Sequence, residues 1–320
     1  MKESTVLFLR GVCKRLFPLK EKPAPPCEKN KDKIQSIIKE MIESGRPLMV
    51  ARFGSIELTS LENALYIKEK QSIWNYICWR GEPNYLHKAQ ANSLFNNAGF
   101  FPMPTEETML RFLELMREDM LQVDVLGSWR YNECCFEKEL SRSIKVDREL
   151  MTPLLTDRPW TATLKGKRVL VVHPFAETIE MQYKHREMLF PNTDILPEFT
   201  LYTLKAVQTQ AGTPSPFKDW FEALQYMKNE IDKIDYDICL LGCGAYGFPL
   251  AAHCKRMGKQ AIHLGGVLQL LFGIKGKRWE VESTYKTTYN YMSYYNEYWV
   301  RPLESEKPQN ANSVEGGCYW

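Results

Sequence analysis

The sequence predicts an α/β fold in which a Rossmann-like, mostly parallel sheet carries helices on both of its faces. Short apolar runs typical of buried strands alternate with segments whose apolar residues recur at helical spacing. A glycine-rich turn, LLGCGAYG, stands between one predicted strand and the next helix, an arrangement typical of Rossmann-like folds. The chain has 320 residues, 44% of them hydrophobic and 25% charged, so it is long enough to bury such a sheet.

Composition and charge exclude several classes of protein. The formal net charge is only +3, which gives no global electrostatic reason to expect a nucleic-acid partner. The nine cysteines form no CxxC pair, and Cys239, Cys243 and Cys254 with His253 have poor zinc spacing. No stretch approaches the roughly 20 apolar residues of a transmembrane helix. Together these features predict a cytoplasmic protein with free thiols.

The N-terminal segment differs in character from the rest of the chain. Residues 1–20 interleave apolar and basic side chains, a pattern that predicts a basic amphipathic helix. Such a helix either contacts an anionic membrane surface, here the inner face of the cell membrane, or packs on its own domain or on a partner. The proline-rich segment 21–32 is typical of a linker. We therefore expect an N-terminal segment and linker at 1–30, one large domain at 31–300, and an extended tail at 301–320.

After the N-terminal segment, the first half of the chain contains two predicted strands and four predicted helices. The strands are PLMVARF, residues 47–53, and VDVLGSW, residues 123–129. Residues 71–104 show no clear pattern. The helices are a segment that runs from Ile34 and ends at Gly45, residues 55–70 with Ser55 as N-cap, residues 105–119, and residues 131–145.

The second half alternates strands and helices more clearly. Strands are predicted at residues 168–175 and 199–207, and helices at residues 176–189 and 217–233. A strand, a glycine-rich turn, a helix and a further strand then follow within residues 236–266. This order predicts parallel strands joined by helical crossovers.

The glycine-rich turn supports two interpretations. Gly242, Gly244 and Gly247 form G-x-G-x-x-G after a strand and at the start of a helix, where backbone N–H groups can approach a phosphate. The first interpretation is a dinucleotide site, and hence an NAD(P)-dependent oxidoreductase. Such a site also needs an acidic residue at the end of the next strand, where this chain has His263. The other reading is a tight turn with close helix–strand packing.

Candidate site residues follow the predicted strands. Arg52, Ser55 and Glu57 follow the first strand, and His173 ends another, so all of them should face the crevice beyond the carboxyl ends of the sheet. An arginine suits a diphosphate, and a carboxylate suits a metal ion or a hydroxyl that loses its proton. The alternatives are that Glu57 only stabilises the helix dipole and that His173 is a hydrogen-bonded turn residue rather than a base.

The segment RFGSIE, residues 52–57, resembles the RFGDGE segment of the bacterial GT-D fold glycosyltransferases. The LLGCGAYG turn, the QAIHLGG strand and the following LFGIKGKRW are similar to the closing region of that family. The resemblance covers roughly residues 31–300 and implies the GT-D type of Rossmann-like fold. It also implies transfer of a sugar from a nucleotide-sugar, in particular a UDP-sugar, to a surface glycan or a lipid-linked acceptor, with an Asp-x-Glu pair helping to hold Mn²⁺ or Mg²⁺.

This chain departs from the family pattern at the metal pair. Glu57 is retained as a metal ligand or catalytic residue, but the aspartate is replaced by Ser55, whose neutral hydroxyl is a poor cation ligand, so a divalent cation is in doubt. Other groups could then offset the charge of the diphosphate. They are Arg52, the helix N-terminus after Gly244, and the basic residues Lys275, Lys277 and Arg278, which could form a mobile lid. A further alternative is a non-catalytic relative that binds a glycan or a nucleotide.

Overall fold

A computed structural model describes residues 3–17, 22–280, 289–308, 310–314 and 316–320. Within these residues one sheet of seven parallel strands has the order β3-β2-β1-β7-β6-β4-β5. The predicted fold class is confirmed. The strands are β1 Leu48–Arg52, β2 Val125–Ser128, β3 Ile144–Asp147, β4 Arg168–His173, β5 Thr200–Lys205, β6 Ile238–Leu241 and β7 Gln260–His263.

Helices cover both faces of the sheet. Several begin at a capping residue: the Thr105 and Thr108 side chains form a capping box, and the Asp219 carboxylate accepts the N–H of Glu222. The helices are α1 Glu3–Leu16, α2 Lys31–Glu43, α3 Ser55–Lys68, α4 Ile73–Ile77, α5 Lys88–Ala98, α6 Glu106–Met120, α7 Ala176–Tyr183, α8 Arg186–Leu189, α9 Trp220–Ile231, α10 Gly247–Arg256 and α11 Leu268–Leu271.

Two hydrophobic cores lie on opposite faces of the sheet. Successive residues of β1 alternate between them: Met49 and Ala51 pack into the core beneath α3, α6, α9 and α10, and Leu48 and Val50 pack into the core beneath α2 and α7. Because both faces are covered, the central strands are continuously apolar rather than alternating. This explains why β1, β4, β6 and β7 could be recognised as short apolar runs.

The region predicted as a helix over residues 131–145 is organised differently. Residues Tyr131–Phe136 form a 3₁₀ turn, and β3 then pairs in parallel with β2. The Glu133 carboxylate accepts the N–H groups of Trp129 and Arg130 and so fixes a tight turn after β2. The strand was not predicted because it is a short edge strand with exposed and intermediate residues.

Two further segments differ from their predictions. The helix expected over residues 176–189 divides into α7 and α8, because the N–H groups of Lys184 and His185 bond to carbonyls three residues earlier and tighten the last turn. The tail, expected as an extended arm, contains 3₁₀ turns at Glu304–Glu306 and Ala311–Ser313. The buried carboxylate of Glu306 accepts the N–H of Glu177 at 2.8 Å, which anchors this tail at the start of α7.

Within the described residues, the N-terminal helix packs on the domain through the face that carries Val6 and Arg10. The side chain of Val6 is buried against Tyr76 and Ile77 of α4. The Arg10 guanidinium lies 3.8 Å from the ring centre of Tyr76 and 3.6 Å from that of Trp79. Nowhere in the described ranges is a helix long and apolar enough to cross a bilayer.

Candidate functional site

A cavity of about 340 Å³ opens at the carboxyl edge of the sheet, where ligands bind in open α/β sheets. The ends of β1, β4, β6 and β7 meet there, so residues distant in sequence come together. Most of the residues predicted from the sequence line this cavity, namely Arg52, Ser55, Glu57, His173, Gly242, Gly244 and Arg278. Gly247, Lys275 and Lys277 do not line it.

The turn between β1 and α3 positions Glu57. Gly54 is the N-cap of α3, and both Ser55 and Glu57 lie in the first helical turn, facing the cavity. The Glu57 carboxylate folds back over Gly54, where a methyl group would come within 1.9 Å of Oε2. A carboxylate in the first turn is also favourable for the helix dipole. Glu57 therefore fits the helix-dipole reading and lines the cavity at the same time.

Arg52 is held at the floor of the cavity by backbone carbonyls. Its Nε lies 3.4 Å from the Leu264 carbonyl oxygen and its Nη1 lies 3.2 Å from that of Phe53. Gly265, with φ of +67°, leaves room for the guanidinium, since a methyl group there would come within 1.7 Å of Nη2. Burial, together with the charge of Arg148, lowers the pKa of Arg52 to about 10.

Two further guanidinium groups lie beside Arg52. Arg148, which follows β3, donates to Glu149 at 3.1 Å and stacks over the Trp129 ring at 4.3 Å. Arg278 donates from Nη1 to the Tyr319 hydroxyl at 2.9 Å.

The positive charges of these residues act on one another. After burial, Arg148 and Arg278 both contribute to the lowered pKa of Arg52, and Arg278 contributes to the lowered pKa of Arg148. We call Arg52, Arg148 and Arg278 the arginine cluster. Three like charges around one cavity favour binding of an anion there.

His173 presents a neutral ring to the cavity. Its Nδ1 accepts the N–H of Phe175 at 3.0 Å, so the proton of the neutral ring is on Nε2. Burial lowers the pKa of His173 to about 3, so the ring is uncharged near neutral pH. The reading of His173 as a hydrogen-bonded turn residue therefore fits the structure, and the remaining ring nitrogen is a donor.

The three glycines of the turn have different surroundings. Gly244 has φ of +58° and lies close to the Ala98 carbonyl oxygen, 3.2 Å from where a methyl group would sit. A methyl group at Gly242 would come within 2.6 Å of the His173 ring. Gly247 instead packs on His263, whose ring would be 2.4 Å from a methyl group there. Gly247 thus provides the close helix–strand packing that the second reading of the motif describes.

The basic residues after β7 separate in space. The backbone N–H of Lys275 bonds to the Val300 carbonyl oxygen at 2.7 Å, and its Nζ lies 5.5 Å from the Tyr295 ring centre. Lys277 begins a 3₁₀ turn, and of these three residues Arg278 alone lines the cavity. Contact of Lys275 or Lys277 with phosphate stays a prediction.

Sequence reasoning missed several lining residues. Arg148 was hidden because the predicted helix at 131–145 covered the first half of β3, so that the strand was not recognised; recognition of it would have placed Arg148 at its carboxyl end. Tyr319 and Trp320 were visible as an aromatic pair after a polar tail, but nothing local connects them with the cavity. Asn97, Gln208 and Gln210, which carry amide side chains, also line the cavity, and Gln210 lies near Gly244.

The described side chains of the cavity do not fit a protein-held divalent cation. Among the described residues, the carboxylates that line the cavity are Glu57 and Glu149, and Glu149 is paired with Arg148. Across the described residues, no group of three or more His, Cys, Asp or Glu side chains is arranged to hold a metal ion. The arginine cluster adds positive charge where a cation would need ligands, so the donor set suits an anion.

The fold and the position of this cavity agree with the comparison to known protein families. A family model described as a GT-D fold-like domain matches residues 29–271. No curated protein and no solved structure shows a significant match to the chain. Because the matched residues make up most of the sequence and include β1 to β7, the chain belongs to the GT-D-like fold family.

Proposed function

We propose that the protein is a glycosyltransferase that moves a sugar from a nucleotide-sugar to a hydroxyl of a glycan or glycolipid acceptor. The observation that carries this proposal is the arginine cluster at the carboxyl edge of a GT-D-like sheet. Nucleotide-sugars carry a diphosphate, and guanidinium groups bind phosphate oxygens through paired N–H donors. UDP-sugars are the first donors to test.

Charge compensation is the main contribution of the cavity to this reaction. When the bond between the sugar and the diphosphate breaks, negative charge develops on the leaving phosphate. The arginine cluster is held in place before the substrate binds, by the Leu264 carbonyl oxygen, Glu149 and Tyr319. The Nε2–H of His173 supplies a further neutral donor. Preorganised donors of this kind need no rearrangement as the charge forms.

Glu57 is the residue we assign to the acceptor. A new bond forms between the acceptor oxygen and the anomeric carbon, while the bond to the diphosphate breaks and the acceptor hydroxyl loses its proton. Glu57 lines the cavity and carries a carboxylate that can accept this proton. His173 is less suited to be the base, because its Nδ1 lone pair already accepts the N–H of Phe175.

We further propose that the reaction does not depend on a metal ion held by the protein. Ser55 stands where the family aspartate is expected, and the arginine cluster supplies positive charge at the same cavity. Mn²⁺ or Mg²⁺ would then improve the rate little, if at all.

The exposed face of α1 fits contact with an anionic membrane surface. Leu7, Phe8, Leu16 and Phe17 are 46 to 69% exposed, although all four are large and apolar. Lys14 and Arg15 lie in the last turn of the same helix, so apolar and basic groups occur together. This combination is typical of helices that lie in the plane of a bilayer with anionic lipids. A lipid-linked acceptor would be reached from such a position.

A comparison of ligands tests the proposal. Isothermal titration of the wild-type protein should show binding of UDP and UDP-sugars and not of NAD. Binding of NAD without binding of UDP would favour the oxidoreductase reading of the glycine turn. A radiolabelled UDP-sugar should then yield a labelled glycan or glycolipid. If the donor binds and its sugar is never transferred or hydrolysed, the non-catalytic alternative is correct.

A further inference from the structure

One wall of the cavity is formed by chain beyond the matched family domain. The family match ends at residue 271. Arg278, Tyr319 and Trp320 nevertheless line the same cavity as Arg52 and His173. This part of the site is therefore supplied by a segment to which the family match assigns no role.

The segment at residues 316–320 is fixed to the domain by specific hydrogen bonds. The backbone N–H of Arg278 donates to the Cys318 carbonyl oxygen at 2.8 Å, and Gln269 donates from Nε2 to the Tyr319 carbonyl oxygen at 3.2 Å. The Tyr319 ring packs on Gly266, where a methyl group would come within 2.4 Å of it. These contacts hold Trp320 at a defined position in the cavity wall.

The indole of Trp320 is almost completely buried. Its ring makes aromatic contacts, but its N–H donor has no hydrogen-bond partner among the described residues. Its side chain is 9% exposed, and its ring meets those of Phe175 and Tyr319 edge to face, at 5.9 and 6.0 Å between centres. Buried N–H groups are nearly always paired in native proteins, so an unpaired one in a residue that lines the cavity points to a ligand acceptor. The Nε1 atom is itself buried, so a ligand oxygen reaches it only when the indole shifts toward the cavity.

Other tryptophans show what distinguishes this one. The indole N–H of Trp299 donates to the Leu189 carbonyl oxygen at 3.2 Å. The indole N–H of Trp220 is also unpaired in the described residues, but Trp220 lies in the hydrophobic core and does not line the cavity. Trp320 combines both features, an unpaired donor and a place in the cavity wall.

The groups near Trp320 indicate which acceptor it would meet. The Phe175 ring contacts both the Trp320 ring and the His173 ring, at 5.9 and 4.9 Å between centres, and His173 offers an Nε2–H donor. The guanidinium of Arg278, bonded to Tyr319, can only donate. The N–H groups of His173 and Arg278 are donors, and such groups suit an oxygen that can only accept, such as that of a phosphate.

We propose that the indole N–H of Trp320 donates a hydrogen bond to a phosphate oxygen of the bound nucleoside diphosphate. Residues 316–320 are then part of the diphosphate site rather than a passive cover. The identity of the ligand rests on the proposed function, whereas the anionic subsite itself rests on the contacts around Trp320.

Titration with UDP and with inorganic pyrophosphate tests this subsite. Trp320→Phe keeps an aromatic ring and removes the N–H, and Trp220→Phe is the matched control, since it removes an unpaired indole N–H from the core. We expect Trp320→Phe to raise the Kd of both anions about tenfold to a hundredfold, the range for a hydrogen bond to a charged acceptor. Trp220→Phe should leave both Kd values unchanged.

The outcomes separate this inference from the proposed function. Unchanged Kd values for both anions in a folded Trp320→Phe variant overturn the subsite and leave glycosyl transfer standing. Weaker binding of both anions by the variant, with no sugar transfer by the wild type, supports the subsite and overturns the proposed reaction. Failure of the wild type to bind either anion overturns both.

The intact protein offers a second measurement if Trp320→Phe does not fold. An indole N–H proton that gains a phosphate acceptor should move downfield in the proton NMR spectrum when pyrophosphate is added. A spectrum in which none of the indole resonances moves while pyrophosphate binds overturns the proposal.

Discussion

The carboxylate of Glu57 occupies the space that a side chain at Gly54 would need: a methyl group there would lie 1.9 Å from Oε2. The φ of Gly54 is −74°, which any residue can adopt, so glycine is required here for space and not for backbone conformation. The glycine of the RFGSIE segment thus sets the position of the carboxylate that we assign to the acceptor.

Gly54→Ala should therefore displace Glu57 while the strand and helix on either side persist. We expect kcat for sugar transfer to fall by at least tenfold with donor Kd little changed, the pattern also expected for Glu57→Gln. The control is Gly11→Ala, because a methyl group at Gly11 meets nothing within 4 Å. If Gly54→Ala and Glu57→Gln both turn over as fast as the wild type, Glu57 is not the base and only stabilises the helix dipole.

Arg52→Ala should weaken donor binding. The loss of a charge-assisted contact to phosphate corresponds to roughly 1.5–3 kcal/mol, or about tenfold to a hundredfold in Kd by titration. Arg46→Ala is the matched control, since Arg46 is an exposed arginine at the opposite end of β1 and changes the net charge equally. Equal effects of the two substitutions would mean that net charge, and not the arginine cluster, governs affinity.

The sequence was most informative where structure is local. The strands β1, β4, β6 and β7 are short apolar runs because helices cover both faces of the sheet, and their ends place Arg52, His173 and Gly242 at one edge. Arg148 was missed because an edge strand of four residues with exposed positions has no such signature.

The wall formed by the tail could not be predicted in this way. The contacts of Tyr319 with Arg278 and Gln269 join residues about 40 to 50 positions apart. No periodicity or local motif encodes such pairs, since they depend on the path of the intervening chain. The tail could therefore be recognised only as polar with two final aromatics.

His173 should act as a donor and not as a base. Asparagine at residue 173 keeps an acceptor for the Phe175 N–H and loses the ring N–H, whereas glutamine can extend an amide donor toward the cavity. We expect His173→Asn to weaken UDP binding more than His173→Gln does. Both variants should keep the fall of kcat/KM at acidic pH, the acidic limb of the pH profile. Loss of that limb in both variants would identify His173 as the base after all.

The same histidine predicts a change in acid stability. Its pKa is about 3 in the folded protein and near 6.5 when unfolded, so below pH 6.5 the unfolded chain binds the proton more readily. Folding stability from this group is thus lost as pH falls. His173→Asn should reduce this loss by on the order of 1 kcal/mol per pH unit below 6.5. Urea titrations at several pH values measure the free energy of unfolding for both proteins. An unchanged dependence of that free energy on pH would contradict the pKa assignment.

The metal requirement should depend on Ser55. With the arginine cluster supplying positive charge, we expect sugar transfer by the wild type to persist in EDTA. Ser55→Asp restores the Asp-x-Glu pair with Glu57 and should increase the stimulation by Mn²⁺. Rates measured in EDTA and in Mn²⁺ for both proteins provide the check. Complete loss of wild-type activity in EDTA, restored by Mn²⁺, would show that the serine has not removed the metal requirement.

The exposed face of α1 should determine binding to anionic liposomes. Leu16→Ser removes a side chain that is 67% exposed, and Leu121→Ser removes one that is 59% exposed at the end of α6. Leu16 lies beside Lys14 and Arg15. We therefore expect Leu16→Ser to weaken vesicle binding by about tenfold, because one large apolar side chain no longer enters the bilayer. Leu121→Ser should have no effect. Sedimentation with vesicles that contain phosphatidylserine should show this difference, and neutral vesicles should bind less in every case. Equal losses in the two variants would indicate nonspecific adsorption, and a wild-type protein that ignores anionic vesicles would leave α1 as a helix that only packs on α4.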